Sequence, residues 1–389
     1  MKRILIFSLA YYPHVGGAEI ALKEITDRIS AEEIEFHMVT MNFGGEALEE
    51  KIGNVFVHRV GPPAGGHASY FQKILFIPRA AATAARLHRT HHFTAFWAMM
   101  SYMLFPIVLL RFMGLRNPYL LTLQEGDPWQ HMFGRWFILP FRPLLSAGFK
   151  NASAVQTIST YLATWARRMG YQGEISVIPN GVDVERFKSV QHVQHRVLDT
   201  SGIVKLVTTS RLVHKNAIDD VIHALKLLPD NIRFVIYGIG PDEEMLKTLA
   251  KNLGVEQRVK FMGHIIDHSE LLHALGECDI FIRPSRSEGM GNSFIEAMAA
   301  GLPVIATQEG GIADFLFDAK RNPDKETTGW AVDKDSSEQI AKAVKEILNN
   351  PEQTKQVVSN AKKLVTENYD WDLIAGKIRT LFGDIFPSI

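Results

Sequence analysis

The densest chemistry in the sequence lies in Ser285-Arg-Ser-Glu288-Gly-Met-Gly-Asn-Ser293-Phe-Ile-Glu296-Ala-Met-Ala-Ala-Gly301-Leu-Pro303. Two glutamates stand seven residues apart, the first in a glycine-containing loop and the second on the helix that follows. Gly289 and Gly291, on either side of Met290, let the backbone pass close to a ligand. A helix beginning at Asn292 and Ser293 turns its free N–H groups toward an anion such as a phosphate. A carboxylate one turn further on, at Glu296, suits a pair of sugar hydroxyls, which it can accept as two hydrogen bonds. The same spacing, Ser293-x-x-Glu296, is also that of a capping box, which needs no ligand. Gly301 and Pro303 end the helix in either case.

Two further stretches carry related chemistry. Arg211 and Lys215 directly follow an apolar run, where a guanidinium and an ammonium suit a diphosphate, although solvated loop cations read the same way. Gly16-Gly17-Ala-Glu19 follows the first apolar run and opens a helix, and Gly310-Gly311 follows a later one. Neither Gly16-Gly17 nor Gly238-Ile-Gly240 completes a G-x-G-x-x-G fingerprint, so hydride transfer is weakly supported. In the N-terminal half, aromatics alternate with cations at Tyr11-Tyr12-Pro-His14 and at Trp129, His131, Phe133, Arg135, Trp136 and Phe137. That pattern suits stacking on sugars or docking on an anionic membrane face, and equally a buried amphipathic helix.

The elements that must position these residues alternate in type. Arg3–Ala10, Phe36–Met41, Val55–Val60, Tyr119–Leu123 and Ala154–Ile158 read as strands, with a helix over Glu19–Ile29. Near Ile178-Pro-Asn-Gly-Val-Asp183 the pattern stops, and a His/Gln-rich stretch at 191–195 marks a linker. Alternation then restarts at Lys205–Ser210 and runs through strands at Ile232–Tyr237, Val259–Met262, Asp279–Arg283, Val304–Thr307 and Trp330–Val332. Helices lie between them, and the C-terminus is helical from about Ser336 to Phe382 with breaks at Pro351 and Asn368–Trp371. Strand-helix alternation implies parallel α/β sheets. Two successive series imply two doubly wound, Rossmann-like domains with a cleft between them.

Composition narrows the classes. Lys+Arg and Asp+Glu both number 42, so the net charge is zero and no polyanion-binding excess appears, which argues against nucleic acid. The balance hides a split, since residues 1–190 hold 19 basic and 14 acidic residues, or +5, and the remainder −5. The single cysteine, Cys278, excludes an internal disulfide and a multi-cysteine zinc site, and its apolar setting reads as a buried thiol. Phe93–Leu110 is free of charge but contains Ser101 and Pro106, fitting a buried strand and a packed helix better than a membrane span. With no secretory leader at the N-terminus, a cytoplasmic location is expected. The Asp-x-Asp runs at Asp333-Lys-Asp335 and Asp370-Trp-Asp372 read as helix-entry or surface groups. His91-His92 and His264-x3-His268 lack carboxylate or cysteine spacing around them, so no metal site is expected.

Taken together and in order, Gly16-Gly17-x-Glu19, Ile178–Asp183, Arg211 with Lys215, Glu288-x7-Glu296, the run 296–307 and Gly310-Gly311 resemble the retaining family 4 glycosyltransferases. Asp370-Trp371 resembles that family's entry into its last helix, so the resemblance spans nearly the whole chain. It implies the GT-B fold, with an acceptor-binding domain at 1–185, completed by a C-terminal helix at 371–389, and a nucleotide-sugar domain at 186–370. It further implies that Arg211 and Lys215 hold the donor diphosphate and stabilise the leaving group. Glu288 would sit by the donor sugar and Glu296 on the ribose. Gly289, Met290, Gly291, Asn292 and Ser293 would supply backbone N–H groups, Gly16 and Gly17 would close on the diphosphate, and Gly263 and His264 would meet the base.

In such enzymes the attack and departure share one face of the sugar without an enzyme nucleophile, so the demand is for charge stabilisation, which two cations meet without a metal. This chain departs from the family's pattern at Gln124-Glu125-Gly126-Asp127-Pro128-Trp129, where many members carry a histidine. Glu125 and Asp127, with Tyr11, His14 and Trp129, are the candidate acceptor-binding groups. The Arg–Lys separation is four where five is common. The expected activity is metal-independent, cofactor-free hexosyl transfer from a UDP- or GDP-sugar to a saccharide or lipid-linked acceptor, with peripheral contact on the inner membrane face through the N-terminal domain. A nucleotide-sugar epimerase or hydrolase on the same fold, and a non-catalytic sugar-nucleotide binder, are the alternatives.

Overall fold

The structure, a computed structural model, describes residues 2–65, 68–189, 202–265 and 267–386. The His/Gln-rich stretch at 191–195 lies outside the described residues. The chain divides into two compact units, residues 1–180 with 371–389 and residues 181–370.

In the first unit the strands are β1 (Lys2–Phe7), β2 (Ile34–Met41), β3 (Glu49–Ile52), β4 (Val55–Val60), β5 (Ala95–Met99), β6 (Tyr119–Leu123), β7 (Ala154–Thr157) and β8 (Ile175–Val177). They form one sheet in the order β3-β4-β2-β1-β5-β6-β7-β8, parallel except for β3, which pairs antiparallel with β4. Because both faces are covered, β5 and β6 are continuous apolar runs, buried at every position. The helices are α1 (Gly17–Asp27), α2 (Tyr70–His91), α3 (Leu104–Phe112), α4 (Trp129–Phe133), α5 (Arg142–Lys150) and α6 (Thr160–Arg168). Helix α2 opens on a reciprocal cap, Ser69 Oγ accepting from the Gln72 N–H and Gln72 Oε1 from the Ser69 N–H. The charge-free stretch 93–110 folds as β5 and α3, and among the described residues no helix is long and apolar enough to cross a membrane.

The second unit begins with α7 (Val184–Ser189) and builds a parallel sheet from β9 (Val204–Thr209), β10 (Ile232–Tyr237), β11 (Val259–Gly263), β12 (Ile280–Arg283), β13 (Val304–Ala306) and β14 (Trp330–Ala331). Its order is β11-β10-β9-β12-β13-β14. Between the strands run α8 (Ile218–Leu225), α9 (Glu243–Asn252), α10 (His268–Gly276) and α11 (Asn292–Ala299), and then come α12 (Ser337–Asn349) and α13 (Pro351–Asn368). Chain order reverses at β9, between β10 and β12, and a doubly wound sheet offers its ligand site at such a point, outside the carboxyl ends of the strands. Cys278 is buried, with Sγ on the Ala274 carbonyl, and burial pushes its thiol up to about 12. A last helix, α14 (Trp371–Ile385), belongs to the first unit, where Trp371, Ile374, Ile378 and Phe382 complete the core around Ile25, Phe36 and Trp97.

Candidate active site

In the second unit the chemistry collects where the parallel strands end. Beyond β9, Arg211 is exposed, and its carbonyl accepts from Asn216 Nδ2 at 2.7 Å. Lys215 lies in the turn His214–Asn216, with its carbonyl held by the Arg286 N–H at 2.7 Å. The Arg286 guanidinium in turn reaches the His214 carbonyl at 2.7 Å, Asp219 at 2.9 Å, Asp220 at 3.0 Å and Asp335 at 2.6 Å. This network braces the turn that carries Lys215. Burial works against the Asp219 charge, but hydrogen bonds from Arg286 hold its carboxyl below the ordinary range. Burial and the adjacent Asp219 charge push Asp220 up to about 6.

Beyond β12 the arrangement is tighter. Arg283 is 5% exposed. Its guanidinium donates to the Thr209 carbonyl at 3.2 Å, to Ser293 Oγ at 2.8 Å and to Glu288 Oε2 at 2.9 Å, and it lies 4.2 Å from the centre of the Phe294 ring. Glu288 also accepts from the Gly289 N–H at 3.0 Å, while its carbonyl receives the Gly311 N–H at 3.1 Å. Both glycine-containing loops therefore close on this glutamate. Gly291 sits at φ +87°, and a Cβ there would stand 2.6 Å from both Arg283 Nη2 and the Phe294 ring. Only glycine lets the chain pass between the arginine and the start of α11.

The capping-box reading of Ser293 and Glu296 is not what folds. The helix cap is Gly291, and Ser293 Oγ accepts from Arg283. Glu296 lies on the second turn of α11, with its charge acting on Arg283. Asn292 and Ser293 form the first turn of that helix, and Met290 is buried. Beyond β10 and β11, the Gly238 N–H bonds the Gly263 carbonyl at 2.7 Å, and His264 is exposed just after it. Gly238, at φ +144°, rests so closely on the strand bearing Arg211 that a Cβ would fall 1.8 Å from the Ser210 carbonyl oxygen.

Five polar atoms here, Thr208 Oγ1, Thr209 Oγ1, Ser210 Oγ, Ser285 Oγ and Arg283 Nε, are buried without a hydrogen-bond partner. Buried polar groups are nearly always paired, so their concentration at the ends of β9 and β12 marks this as a place built for polar contact. Arg283 and Arg286, which brace these loops, are the residues that sequence reasoning missed. The signal for Arg283 was its position as the last residue of an apolar strand, next to the loop already singled out.

In the first unit, Gly16 and Gly17 are exposed at the start of α1, and the Gly16 N–H donates to Glu19 Oε2 at 2.8 Å. Burial raises the Glu19 carboxyl above the ordinary range. His14 is half-buried, 3.2 Å from Glu46 and packed against Phe43, and Asp127 is half-buried near the end of the loop between β6 and α4. Three expected acceptor contacts are instead interior. Tyr11 is 2% exposed in the core, and Trp129 packs against Phe133, Trp165 and the Arg168 guanidinium. Glu125 is 1% exposed, its Oε1 accepting from the Ser101 N–H at 2.6 Å while Oε2 has no partner. Burial raises its carboxyl above the ordinary range. Beside it, Met100 holds φ +71°, an uncommon value for a side chain of that size.

The Asp-x-Asp runs are committed to structure. Asp333 pairs with Arg321 at 2.8 Å and Asp335 with Arg286, Asp370 accepts from the Val184 N–H at 3.4 Å, and Asp372 pairs with Arg28 at 2.6 Å.

Comparison with known proteins bears on the whole chain. A family model described as Glycosyltransferase Family 4 matches residues 15–186, and one described as Glycosyl transferases group 1 matches residues 198–382. Among curated relatives, a GDP-mannose-dependent alpha-(1-6)-phosphatidylinositol monomannoside mannosyltransferase of Mycobacterium tuberculosis is 31% identical over 262 residues, which is 62% of this chain and 65% of that protein. The chain thus spans about two thirds of that relative's length. Sucrose-phosphate synthase from Thermosynechococcus elongatus superimposes with a TM-score of 0.83 at 18% identity, over 99% of each chain. HepE of Anabaena, in complex with UDP and glucose, gives 0.76 at 21% identity over 99% of this chain and 100% of its own. At such identities the likeness shows the fold, and that fold is GT-B.

Proposed function

The chain belongs to the family 4 glycosyltransferases, and from that premise we propose that it transfers a hexosyl group, with retention, from a UDP- or GDP-sugar to a saccharide or lipid-linked acceptor. The observation that carries the reading is the set of buried, unpartnered polar atoms beside Arg211 and the Arg283–Glu288 pair, at the carboxyl ends of β9 and β12. A departing diphosphate needs cations already in place, because donors that need not reorganise stabilise developing charge most. Arg211, exposed on a braced loop, and Lys215, on the turn fixed by Arg286, meet that need, and the first turn of α11 adds N–H groups. Glu296 serves the ribose hydroxyls. Glu288, oriented by Arg283, lies by the donor sugar. Gly263 and His264 flank the base, and Gly16 and Gly17 open α1 with backbone N–H groups suited to an anion. The reaction on this reading requires neither a metal nor another cofactor.

On the acceptor side, His14 and Asp127 are the groups offered at the surface. Glu125 serves from within, fixing the Ser101 backbone next to the strained Met100. A lipid-linked acceptor is favoured by the face around the start of α2. Tyr70, Phe71 and Ile74 are 65%, 68% and 59% exposed, and Trp136, Leu139 and Phe141 are also exposed. Arg135 lies over the Tyr70 and Phe137 rings, and Lys73 over Tyr70. Exposed aromatics among cations are the chemistry of an anionic membrane interface.

Incubation with UDP-glucose and with GDP-mannose, with and without glycan and polyprenyl-linked acceptors, tests the reading. Nucleotide release that needs an acceptor, unaffected by EDTA and yielding a product with the donor's anomeric configuration, is expected. Sugar isomerisation or hydrolysis without an acceptor would instead establish an epimerase or hydrolase. Donor binding with no turnover on any acceptor would make the chain a binder.

A further inference from the structure

Away from this chemistry, near the amino-terminal ends of the first unit's strands, folding assembles a second cluster. Glu35 and His37 lie two residues apart on β2 and so share a face of the sheet, and His91 lies on the last turn of α2. One carboxylate oxygen of Glu35 and one ring nitrogen each from His37 and His91 all lie within 4.8 Å of one another. Glu35 Oε1 stands 3.2 Å from His37 Nε2. Two donors each about 2.0–2.1 Å from a tetrahedral ion are about 3.3 Å apart, so this pair already has the spacing of zinc ligands.

The surroundings favour coordination. His37 is 3% exposed, and its other nitrogen, Nδ1, meets His58 Nε2 at 3.1 Å, while His58 Nδ1 meets Glu49 at 3.3 Å. With His58 and Glu49 behind it, Nδ1 can be held by a hydrogen bond while Nε2 takes the ion, the outer-shell arrangement metal-binding histidines use. Arg3 forms an ion pair with Glu35 Oε1 at 2.8 Å and bonds the His91 carbonyl at 3.0 Å, so it orients both residues, and a bound ion must share Glu35 with it.

We infer that Glu35, His37 and His91 form a binding site for one divalent transition-metal ion of the Zn²⁺ type, with His58 as its outer-shell support and water as the fourth ligand. The ion would tie the end of α2 to β2. Two imidazoles and a carboxylate suit Zn²⁺ or Co²⁺ and not Mg²⁺ or Ca²⁺, which prefer oxygen donors.

The test uses the full-length, untagged chain, freed of metal and titrated with Zn²⁺ by calorimetry and with Co²⁺ by visible absorption. One-to-one binding is expected, with tetrahedral Co²⁺ bands and a raised Tm. His91→Gln should weaken binding at least tenfold, and His58→Gln by roughly 10–100-fold through the outer shell. His37→Gln should abolish it. Should His37→Gln fail to fold, the more exposed His91→Gln decides. Absence of binding, octahedral Co²⁺ bands, or affinity unchanged in His91→Gln would overturn the site. None of these outcomes touches the transferase reading, which is measured separately by nucleotide release in EDTA.

Discussion

Replacing Arg283 by Met is the sharpest test of how the second unit holds its chemistry. The substitution removes hydrogen bonds to the Thr209 carbonyl, Ser293 Oγ and Glu288 Oε2, and a cation 4.2 Å from the Phe294 ring centre. It also leaves behind Glu288, whose side chain is only 13% exposed. Removing one partner of a buried pair costs about 3–5 kcal/mol, mainly because the other charge stays buried alone. The carboxylate here keeps the Gly289 N–H at 3.0 Å, which places the expected loss near the lower end of that range. Removing both charges, in Arg283→Met with Glu288→Leu, should restore part of the loss. A double-mutant cycle by urea denaturation, followed by circular dichroism, should give an interaction energy of about 1–3 kcal/mol. Nucleotide release should fall in all three variants, even in the double variant that regains stability. Additive single effects, or normal turnover in the double variant, would refute the claim that Arg283 positions Glu288 for function.

Arg211→Ala should lower kcat by roughly 10²-fold or more while donor affinity changes little, as expected for a group that acts on the leaving diphosphate; near-normal turnover removes it from the mechanism. Glu296→Ala should weaken nucleotide binding, and unchanged donor affinity in calorimetry would defeat the ribose assignment. Burial raises the Glu125 carboxyl, so the folded state holds its proton to higher pH than the unfolded chain does. Its contribution is therefore present below the unfolded value near 4.3 and is lost as pH rises through the raised folded value, at about 1.4 kcal/mol per unit of the rise. Wild-type stability should fall relative to Glu125→Gln as denaturation is moved from pH 4.5 to pH 8, and parallel curves would contradict the burial argument. Gly238→Ala, whose Cβ would stand 1.8 Å from the Ser210 carbonyl oxygen, should lower both Tm and turnover because the strand end that carries Arg211 must move.

Much of the fold is legible in the sequence because a covered strand such as Tyr119–Leu123 is apolar nearly throughout, and partly covered ones such as Val55–Val60 and Ile232–Tyr237 keep most of their buried positions apolar. Val55–Val60, Tyr119–Leu123 and Ile232–Tyr237 have the limits that hydropathy assigns them. Strand β3, Glu-Glu-Lys-Ile, escapes the same reasoning, since an edge strand open to solvent carries no apolar signature. Helix α2 hides for another reason. Its cationic and alanine-rich turns alternate around an internal Pro78, and its exposed face carries Tyr70, Phe71 and Ile74, which blurs the periodicity a buried helix shows. The interior positions of Tyr11 and Trp129 were one of two readings the same pattern allows, and that of Glu125 was out of reach. Aromatic and acidic residues in a loop have the same spelling whether they face a ligand or fold inward.

Charge shows why the site itself was only partly legible. The C-terminal portion carries the −5 of the split, yet it is the portion proposed to bind a diphosphate. Pairing resolves the conflict. Asp219, Asp220 and Asp335 are bound to Arg286, Asp333 to Arg321, and Glu288 to Arg283, so these acids contribute little field of their own where a ligand's phosphates would lie. Among the described residues Arg211 has no carboxylate partner, and it stands exposed at a strand end. A cation that folding leaves uncompensated acts on a ligand far more than the sum over its domain, because a surface charge is screened beyond about 8–10 Å while a contact at the loop is not. Asp219, Asp220 and Asp335 thus hold Arg286, and Arg286 braces the turn that carries Lys215. The sequence lists both kinds of residue but not which of them neutralise one another, and that pairing decides the sign of the site.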